Sequence, residues 1–379
     1  MRGSMTALGI SGWRLHGQRT GVGRYTASLI EHFTPDVIAA KFSAITVYTP
    51  QPFVPVAPNV SRRVRNVVIP SRLPMVAWDN LRLGPSARDE VVLYPSFARP
   101  LVTRAATVVV THEAIMKVVP EMFRRRDRIV YGPLYGWSAR AATLVITTSE
   151  AAKEDIVDAW NIDPAKIRVT PMAAAAHFRP LSAFDDRDAL RRETLGDETP
   201  YFMFVGKISG RRNLPELLRA FVEFKRGGYP HKLLVVGPTH AVEAVKAIGA
   251  EVGIGDYLTT RAYVTDETLN QLYNCADAFI MPSAYENGSL PVFEAQATGT
   301  PVISVRTEGT AEITGGAAFL IEKLDVAELV RAMTAVASDA SLRRDLSAKG
   351  LANSARYSWS RCARETLAIC REAADMGRA

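Results

Sequence analysis

Residues 278–305 are AFIMPSAYENGSLPVFEAQATGTPVISV, and their pattern indicates the fold class. Two apolar runs, 278–281 and 301–305, have the length of buried β-strands, and the segment 292–298 between them has a helical pattern. A strand, a helix and a second strand in this order are typical of a parallel sheet, whose strands need a crossover connection. The stretch therefore predicts an α/β fold.

The same alternation continues on both sides of this stretch, throughout the 379 residues. The further predicted strands are 8–10, 44–47, 67–69, 91–94, 107–111, 143–147, 201–205 and 232–236. The further predicted helices are 25–33, 123–141, 150–160, 214–225, 242–250, 266–275, 325–337, 339–355 and 359–375. The pattern predicts two doubly wound, Rossmann-like domains with parallel sheets.

The alternation breaks at Phe178-Arg179-Pro180, and an acid-rich stretch follows that ends at Pro200. This predicts a first domain at 5–180, a linker at 181–200, a second domain at 201–357 and a closing helix at 358–379. Residues 1–4 resemble a vector-derived addition, so the first domain is counted from Met5.

Composition excludes several classes of protein. With 47% hydrophobic and 22% charged residues, the chain is neither disordered nor a coiled coil. Three cysteines are too few for a disulfide framework or a zinc site, which favours a reduced, cytoplasmic setting. The sequence has no run of 18 apolar residues, so no membrane span is predicted. It has no charged-then-apolar start, so export is not predicted either.

The positive charge is concentrated in the first half. The net charge is +7, and residues 1–190 hold 24 Lys and Arg against 16 Asp and Glu, with clusters at Arg62-Arg63-Val64-Arg65 and Arg124-Arg125-Arg126-Asp127-Arg128. This indicates either a solvated basic face or a surface that contacts anionic lipid or an anionic acceptor. Nucleic acid is disfavoured as a partner because no aromatic residues are interleaved with the arginines.

Two strand-to-helix turns of the first half carry candidate ligand contacts. Gly21-Val22-Gly23 precedes a helix, where glycines permit close approach and helix amides favour an anion. A dinucleotide fingerprint would need glycine at the position of Thr26, so a dinucleotide-binding site is not predicted. The alternative to an anion-binding turn is a simple tight turn. His112-Glu113 follows strand 107–111, where the imidazole either contacts a ligand or is structural.

Two turns of the second half are richer. Residues 206–213, Gly-Lys-Ile-Ser-Gly-Arg-Arg-Asn, place cations and glycines before a helix, which favours a diphosphate, although no Gly-Lys-Ser/Thr run makes it a P-loop. Glu286 and Glu294 are eight residues apart, at a turn and along the following helix. They suit two hydroxyl contacts on one extended ligand, with an anion between them; a helix start that merely carries glutamates is the alternative.

Together these turns resemble the family-four retaining glycosyltransferases of the GT-B fold, over nearly the whole chain. Glu286 and Glu294 resemble the family's Glu-x7-Glu motif, and Lys207 and Arg212 resemble its basic pair. Residues 20–25 resemble its amino-terminal glycine loop, His112-Glu113 its His-Asp pair, and Tyr357-Ser358-Trp359 the segment before its last helix.

The resemblance implies two domains facing a cleft, with the last helix crossing back to the first domain. It implies that Glu294 binds the nucleotide ribose, Glu286 the donor sugar, and Lys207 and Arg212 the diphosphate. Further donor contacts are implied at Gly21, Val22, Gly23, Val264, Asn287, Gly288, Ser289 and Leu290. His112 would lie at the reacting sugar, so Glu286, His112, Lys207 and Arg212 are the candidate catalytic residues.

The implied activity is transfer of a sugar, with retention, from a nucleoside-diphosphate sugar to a saccharide, lipid-linked or natural-product acceptor. GDP-mannose is favoured as donor by the Thr-Gly-Val-Gly-Arg-Tyr opening, and no metal cofactor is required. The expected location is cytoplasmic, with peripheral contact to the inner face of the membrane. The alternatives are a sugar-nucleotide epimerase or phosphorylase on the same fold, a non-catalytic nucleotide-sugar-binding protein, and a peripheral membrane scaffold.

Overall fold

A computed structural model describes residues 6–17, 19, 21–53, 63–182 and 186–378. Thr20 and Arg62, which belong to two of the motifs above, lie outside these residues. By its internal contacts the chain divides into two compact units, one formed by Met1–Met172 with Ser358–Ala379 and the other by Ala173–Tyr357. We call them unit 1 and unit 2.

Unit 1 is built on a parallel sheet. Within the described residues it has seven strands, in the order β3-β2-β1-β4-β5-β6-β7. They are β1 (Ala7–Ser11), β2 (Ala44–Thr49), β3 (Val64–Val68), β4 (Val91–Tyr94), β5 (Ala106–Val110), β6 (Leu144–Thr147) and β7 (Ile167–Val169). The central strands β4, β5 and β6 are buried almost throughout, as expected where helices cover both faces of a sheet.

The helices of unit 1 are α1 (Gly21–Glu31), α2 (Pro35–Ala39), α3 (Met75–Trp78), α4 (Gly84–Ser86), α5 (Ile115–Val118), α6 (Arg125–Ala141) and α7 (Glu150–Trp160). A π-helical turn, Asp79–Leu83, joins α3 to α4. Short 3-10 turns lie at Trp13–Leu15, Pro120–Met122 and Pro164–Lys166. The core of this unit includes the fully buried Trp78 and the buried Tyr94.

Unit 2 is built on a second parallel sheet. Within the described residues it has six strands, in the order β10-β9-β8-β11-β12-β13. They are β8 (Tyr201–Val205), β9 (Lys232–Gly237), β10 (Leu258–Ala262), β11 (Ala278–Met281), β12 (Val302–Val305) and β13 (Phe319–Ile321). The strand order reverses between β8 and β11, and in parallel α/β sheets ligands bind beyond the carboxyl ends of strands at such a reversal.

The helices of unit 2 are α8 (Arg187–Leu195), α9 (Leu214–Arg226), α10 (Val242–Val252), α11 (Asp266–Cys275), α12 (Leu290–Ala297), α13 (Glu308–Thr314), α14 (Val326–Ser338) and α15 (Ala340–Ser354). Short 3-10 turns lie at Gly210–Arg212, Thr239–Ala241 and Gly255–Tyr257. Helix α9 packs its buried leucines and phenylalanines into the core of this unit, together with α14 and the sheet.

The last helix, α16 (Trp359–Met376), belongs to unit 1 although it follows unit 2 in the chain. Its Arg371 Nη1 donates to Thr6 Oγ1 over 2.7 Å, and its Glu372 Oε1 lies 2.6 Å from Arg168 Nη2. Trp359, at its first turn, contacts the ring of Tyr25 in α1 with the ring centroids 5.7 Å apart. The helix thus packs on α1 and on the central strands β4, β5 and β6 of the unit's sheet.

The sheets confirm the predicted α/β class with two parallel-sheet domains. The stretch 181–200, predicted to be a linker, contains α8 and groups with unit 2. Asp186 is the N-cap of α8, and its side chain accepts from the amides of Asp188 and Ala189. Asp186 therefore starts a helix, as N-cap chemistry favours.

Candidate functional site

The loop after β8 is fixed to the loop after β11, because these two strands are neighbours. The turn Gly210–Arg212 ends at Asn213, whose backbone is left-handed with φ 47°. The Asn213 side chain donates to the carbonyl of Pro282 over 2.9 Å and to that of Arg211 over 3.2 Å. Asparagine tolerates this conformation better than most residues, so it both closes the turn and joins the two loops.

Glu286 is the centre of this site. Its carboxylate is buried, and its Oε2 lies 3.2 Å from Arg211 Nη1 and 3.3 Å from Arg212 Nη1. Arg212 is itself buried. A buried carboxylate is stable only when it is paired, and the two guanidinium groups supply that pairing.

The backbone around Glu286 is held by the start of α13. The Thr307 hydroxyl donates to the Glu286 carbonyl over 3.2 Å. At Gly309 a Cβ atom would lie 2.3 Å from that same carbonyl oxygen and 2.4 Å from Asn287 Oδ1, so only glycine fits. The Asn287 amide donates to the Tyr285 hydroxyl over 2.7 Å. These contacts fix the direction in which Glu286 leaves the backbone.

Glu294 is buried on the second turn of α12, where the Tyr273 hydroxyl donates to its Oε2 over 3.2 Å. Ser289 is the N-cap residue of α12, but its hydroxyl contacts Met281 Sδ rather than capping the helix. Leu290 and the residues before it, Gly288 and Ser289, therefore form a helix start without a side-chain cap. Pro291 has no amide hydrogen, and the amides of Val292 and Phe293 donate to the Ser289 carbonyl over 3.1 and 3.3 Å. The amides of Gly288, Ser289 and Leu290 are therefore the ones that can bind an anion at this helix start.

The remaining predicted residues of unit 2 lie at the same edge of the sheet. Lys207 is exposed on the loop that follows β8, and Val264 is half-buried just after β10. Among the described residues Lys207 is in no ion pair, in contrast to Arg212. The structure thus brings Arg212 and Glu286 into contact and holds Glu294 separately through Tyr273.

Unit 1 holds His112 and the glycines. The His112 ring lies edge-on to Tyr25 with the ring centroids 4.9 Å apart, and its Nε2 is 3.2 Å from the Pro95 carbonyl. Burial lowers the pKa of His112 to about 4. The imidazole is therefore neutral near pH 7, and the carbonyl favours the tautomer that carries the proton on Nε2.

Gly21, Val22 and Gly23 form the first turn of α1 itself, rather than a loop before it. A Cβ at Gly23 would lie 2.6 Å from the Arg14 carbonyl oxygen, whereas a Cβ at Gly21 would meet nothing within 4 Å. Gly23 is thus required for packing inside the unit, and of the two glycines only the exposed Gly21 leaves room for a ligand.

A buried carboxyl that the sequence did not single out lies at the end of β1. The Ser11 hydroxyl donates to Asp79 Oδ1 over 2.8 Å, and burial raises the pKa of Asp79 to about 7. Asp79 begins the π-helical turn, a geometry that is frequent at functional sites.

Two kinds of feature are absent from the described part of the chain. No group of three or more His, Cys, Asp or Glu side chains there is placed to hold a metal ion. No helix there is long and apolar enough to cross a membrane. The three cysteines are buried and unbonded to one another.

Comparison with known proteins finds similarity to glycosyltransferases. The sequence model of the family described as glycosyl transferases group 1 matches residues 186–352, which cover most of unit 2 and its site. This match confirms the predicted resemblance to the glycosyltransferases.

Two relatives illustrate the likeness. The chain is 25% identical over 370 residues to O-antigen chain mannosyltransferase B of Escherichia coli, covering 92% of this chain and 95% of that one. It is 31% identical over 240 residues to D-inositol 3-phosphate glycosyltransferase of Nocardia farcinica, covering 60% of this chain and 52% of that one. The second likeness thus spans about half of that relative's length.

Solved structures confirm the GT-B fold. WaaG, described as a glycosyltransferase involved in lipopolysaccharide biosynthesis, superposes with a TM-score of 0.72 at 15% identity, covering 96% of this chain and 99% of that one. Anabaena Alr3699/HepE, solved in complex with UDP-glucose, gives a TM-score of 0.74 at 15% identity, covering 98% and 99%.

Sequence reasoning missed two residues of the site. Arg211 contacts Glu286 as closely as Arg212 does, and Tyr273 binds Glu294. Adjacent arginines in a predicted diphosphate loop were a signal for the first. For the second there was none, because α11 and α12 approach one another only through tertiary packing.

Proposed function

We propose that this protein is a retaining glycosyltransferase that uses a nucleoside-diphosphate sugar. The observation that carries the proposal is the buried contact of Arg212 with Glu286, at the carboxyl ends of the neighbouring strands β8 and β11. This edge of the sheet is where α/β domains bind nucleotides, and a guanidinium there can pair with a diphosphate.

The reaction is a substitution at the anomeric carbon of the donor sugar. The bond from that carbon to the diphosphate oxygen breaks, and a bond to the acceptor oxygen forms on the same face. The proton of the acceptor hydroxyl passes to the leaving diphosphate oxygen. Lys207, Arg212 and the amides at the start of α12 stabilise the negative charge that develops on the leaving group, so the proposal needs no metal.

The two glutamates hold the sugars at either side of the diphosphate. Glu294, oriented by Tyr273, accepts hydrogen bonds from the ribose, and Glu286 accepts from the donor sugar. Val264 contacts the base, and Asn287 extends the sugar contacts. In unit 1, His112 contacts the reacting sugar as a neutral imidazole, and Gly21 approaches the phosphates.

Mannose carried by GDP is the proposed donor, and a saccharide or lipid-linked glycan is the proposed acceptor. Support comes from the relative that this chain matches over nearly its full length, which is called an O-antigen chain mannosyltransferase. A glucose donor carried by UDP is the second candidate, favoured by the structural neighbour solved with UDP-glucose.

Thermal unfolding with GDP-mannose, UDP-glucose, ADP-glucose and dTDP-glucose tests the donor. A ligand at 100 times its Kd stabilises the folded protein by about 2.7 kcal/mol, so the true donor should raise Tm clearly above the others. The anomeric configuration of the product, followed by NMR, tests retention. If R212A folds normally and still transfers sugar at near the wild-type rate, the proposal fails; we expect turnover to drop by orders of magnitude.

We also propose that unit 1 docks on an anionic membrane surface through the start of α6. Arg124, Arg125, Arg126 and Arg128 are exposed there, and Ile129 and Val130 are 63% and 50% exposed. In a helix Arg125 lies beside Ile129 and Arg126 beside Val130, so charged and apolar side chains share one face. Such a face binds the interface of an anionic bilayer.

Cosedimentation with vesicles tests the docking. The protein should bind vesicles of phosphatidylglycerol and phosphatidylcholine, and binding should fall at least tenfold in the double variant R125E/R126E. The matched control R226E changes an exposed arginine of α9 and should leave binding within twofold. Equal binding to pure phosphatidylcholine vesicles would contradict the docking surface.

A further inference from the structure

Two neighbouring arginines share a single carboxylate oxygen in this site. Arg211 Nη1 and Arg212 Nη1 lie 3.2 and 3.3 Å from Glu286 Oε2. The Glu286 side chain is only 2% exposed, and those of Arg211 and Arg212 are 22% and 11% exposed. Two cations therefore compensate one buried anion, which is one more than the anion needs.

Arg211 is bound to the loop around Glu286 at both its backbone and its side chain. Its carbonyl accepts from the amide of Ala284 and from the side chain of Asn213, each over 3.2 Å. Its Nη1 donates to the Tyr285 carbonyl over 3.2 Å as well as to Glu286. If Arg211 turned away, it would leave a carbonyl and a carboxylate without these donors, which is costly in a buried place.

Arg212 is the last residue of the turn Gly210–Arg212, directly before Asn213. Its guanidinium meets the same oxygen of Glu286 that Arg211 already compensates. Transfer of Arg212 from Glu286 to a phosphate oxygen would therefore leave the carboxylate paired. Transfer of both arginines would leave a buried charge uncompensated, which is strongly unfavourable.

We propose that Arg211 is a positioning residue that keeps Glu286 oriented throughout the reaction, while Arg212 moves its contact from Glu286 to the diphosphate of the donor. Before the donor binds, the carboxylate takes the place of a phosphate oxygen and holds the Arg212 guanidinium in position for the diphosphate. The inference rests on the proposed function and assigns different roles to two adjacent, chemically identical side chains.

Measurements of nucleotide binding and of turnover distinguish the role of Arg211 from that of Arg212. GDP and UDP, which lack the sugar, are the probes for diphosphate binding by isothermal titration calorimetry. R212Q should weaken the binding of whichever of the two the wild type takes by at least tenfold. R211Q should bind it within threefold of the wild type, but its kcat for sugar transfer should fall at least tenfold, because Glu286 is no longer held against the donor sugar.

Three further variants sharpen the test. R211K keeps the charge but loses the planar fork of donors, so its nucleotide affinity should be unchanged and its kcat should lie between those of R211Q and the wild type. In an E286Q background R211Q should lower kcat by less than a further twofold, because the residue it positions is already altered. R226Q, on the exposed face of α9, should match the wild type in both measurements.

Several results would overturn the inference. If R211Q loses as much nucleotide affinity as R212Q, Arg211 is a second diphosphate clamp. If its kcat stays within threefold of the wild type, Arg211 positions nothing. If R211Q does not fold, R211K is the test variant. A loss of nucleotide affinity in R211K as large as that in R212Q, or a kcat equal to that of the wild type, contradicts the assignment. A wild-type protein that binds neither GDP nor UDP and transfers no sugar would instead refute the proposed function.

Discussion

Replacing His112 with glutamine should change how the stability of unit 1 depends on pH. In the folded protein the half-buried imidazole lies against the Pro95 carbonyl, and desolvation lowers its pKa from 6.5 to about 4. The unfolded chain takes up a proton at this residue below pH 6.5, whereas the folded chain does so only near pH 4. The wild type therefore loses stability at His112 as the pH falls from 6.5 towards 4.

The size of the effect follows from the two pKa values. Each pKa unit corresponds to about 1.4 kcal/mol, so the full difference is worth about 3 kcal/mol. Between pH 7.5 and pH 5 about 2 kcal/mol of it should appear. The amide of glutamine can donate to Pro95 as Nε2 does but does not titrate. H112Q should therefore gain about 2 kcal/mol relative to the wild type over this interval, on top of any pH-independent packing loss.

Tryptophan fluorescence during urea unfolding is the assay, and the chain makes it selective. All five tryptophans, Trp13, Trp78, Trp137, Trp160 and Trp359, lie in unit 1. Their signal reports the unfolding of the unit that contains His112, even if the two units unfold separately. A difference in unfolding free energy between H112Q and the wild type that stays constant from pH 7.5 to pH 5 would show that His112 is not held neutral by burial.

Three further predictions concern other parts of the chain. As the pH falls from 7.5 to 5 in the same assay, the unfolding free energy of D79N should fall by about 2 kcal/mol relative to that of the wild type. The raised carboxyl pKa of Asp79 stabilises the folded wild type at low pH, and that stability is lost as the pH rises through about 7. A change of the opposite sign would contradict the burial of Asp79. G309A should lower kcat at least tenfold in the sugar-transfer assay, because the added Cβ would lie 2.3 Å from the Glu286 carbonyl oxygen. The stability of unit 1, followed by tryptophan fluorescence, should stay unchanged. A fully active G309A would show that the backbone at Glu286 can shift. In urea unfolding, G23A should destabilise unit 1 by about 1–3 kcal/mol through overpacking against Arg14, whereas G21A should not. Equal stabilities of the two variants would show that the first turn of α1 is not tightly packed against Arg14.

The fold was largely predictable because its central strands are short, buried and apolar. The predicted strands 91–94, 201–205 and 278–281 have the same bounds in the structure. The strands that were missed, β7, β10 and β13, lie at the edges of the two sheets. Two of them have three residues each, and β10 is half-buried and mostly polar, so none forms the buried apolar run that predicts a strand.

The site was predictable as a set of residues but not as a set of contacts. The spacing of Glu286 and Glu294 and the cations at 206–213 predicted one candidate site, and the structure places Glu286 beside two of those cations. The pairing of Glu286 with two arginines depends on the register between β8 and β11 and on the left-handed Asn213, which no local pattern encodes. The burial of Asp79 could not be predicted from the sequence either, because its hydrogen-bond partner Ser11 lies 68 residues earlier in the chain.

The position of α16 has a consequence for how the protein folds during synthesis. Unit 1 is translated first, yet the helix that covers its sheet lies beyond the whole of unit 2. On the ribosome, unit 2 has all of its strands before unit 1 has its last helix, so the domain that starts the chain is the one completed last. A fragment that ends at residue 172 would expose the apolar surface that Trp359, Leu367 and their neighbours bury, and would need the final helix supplied in trans to become stable.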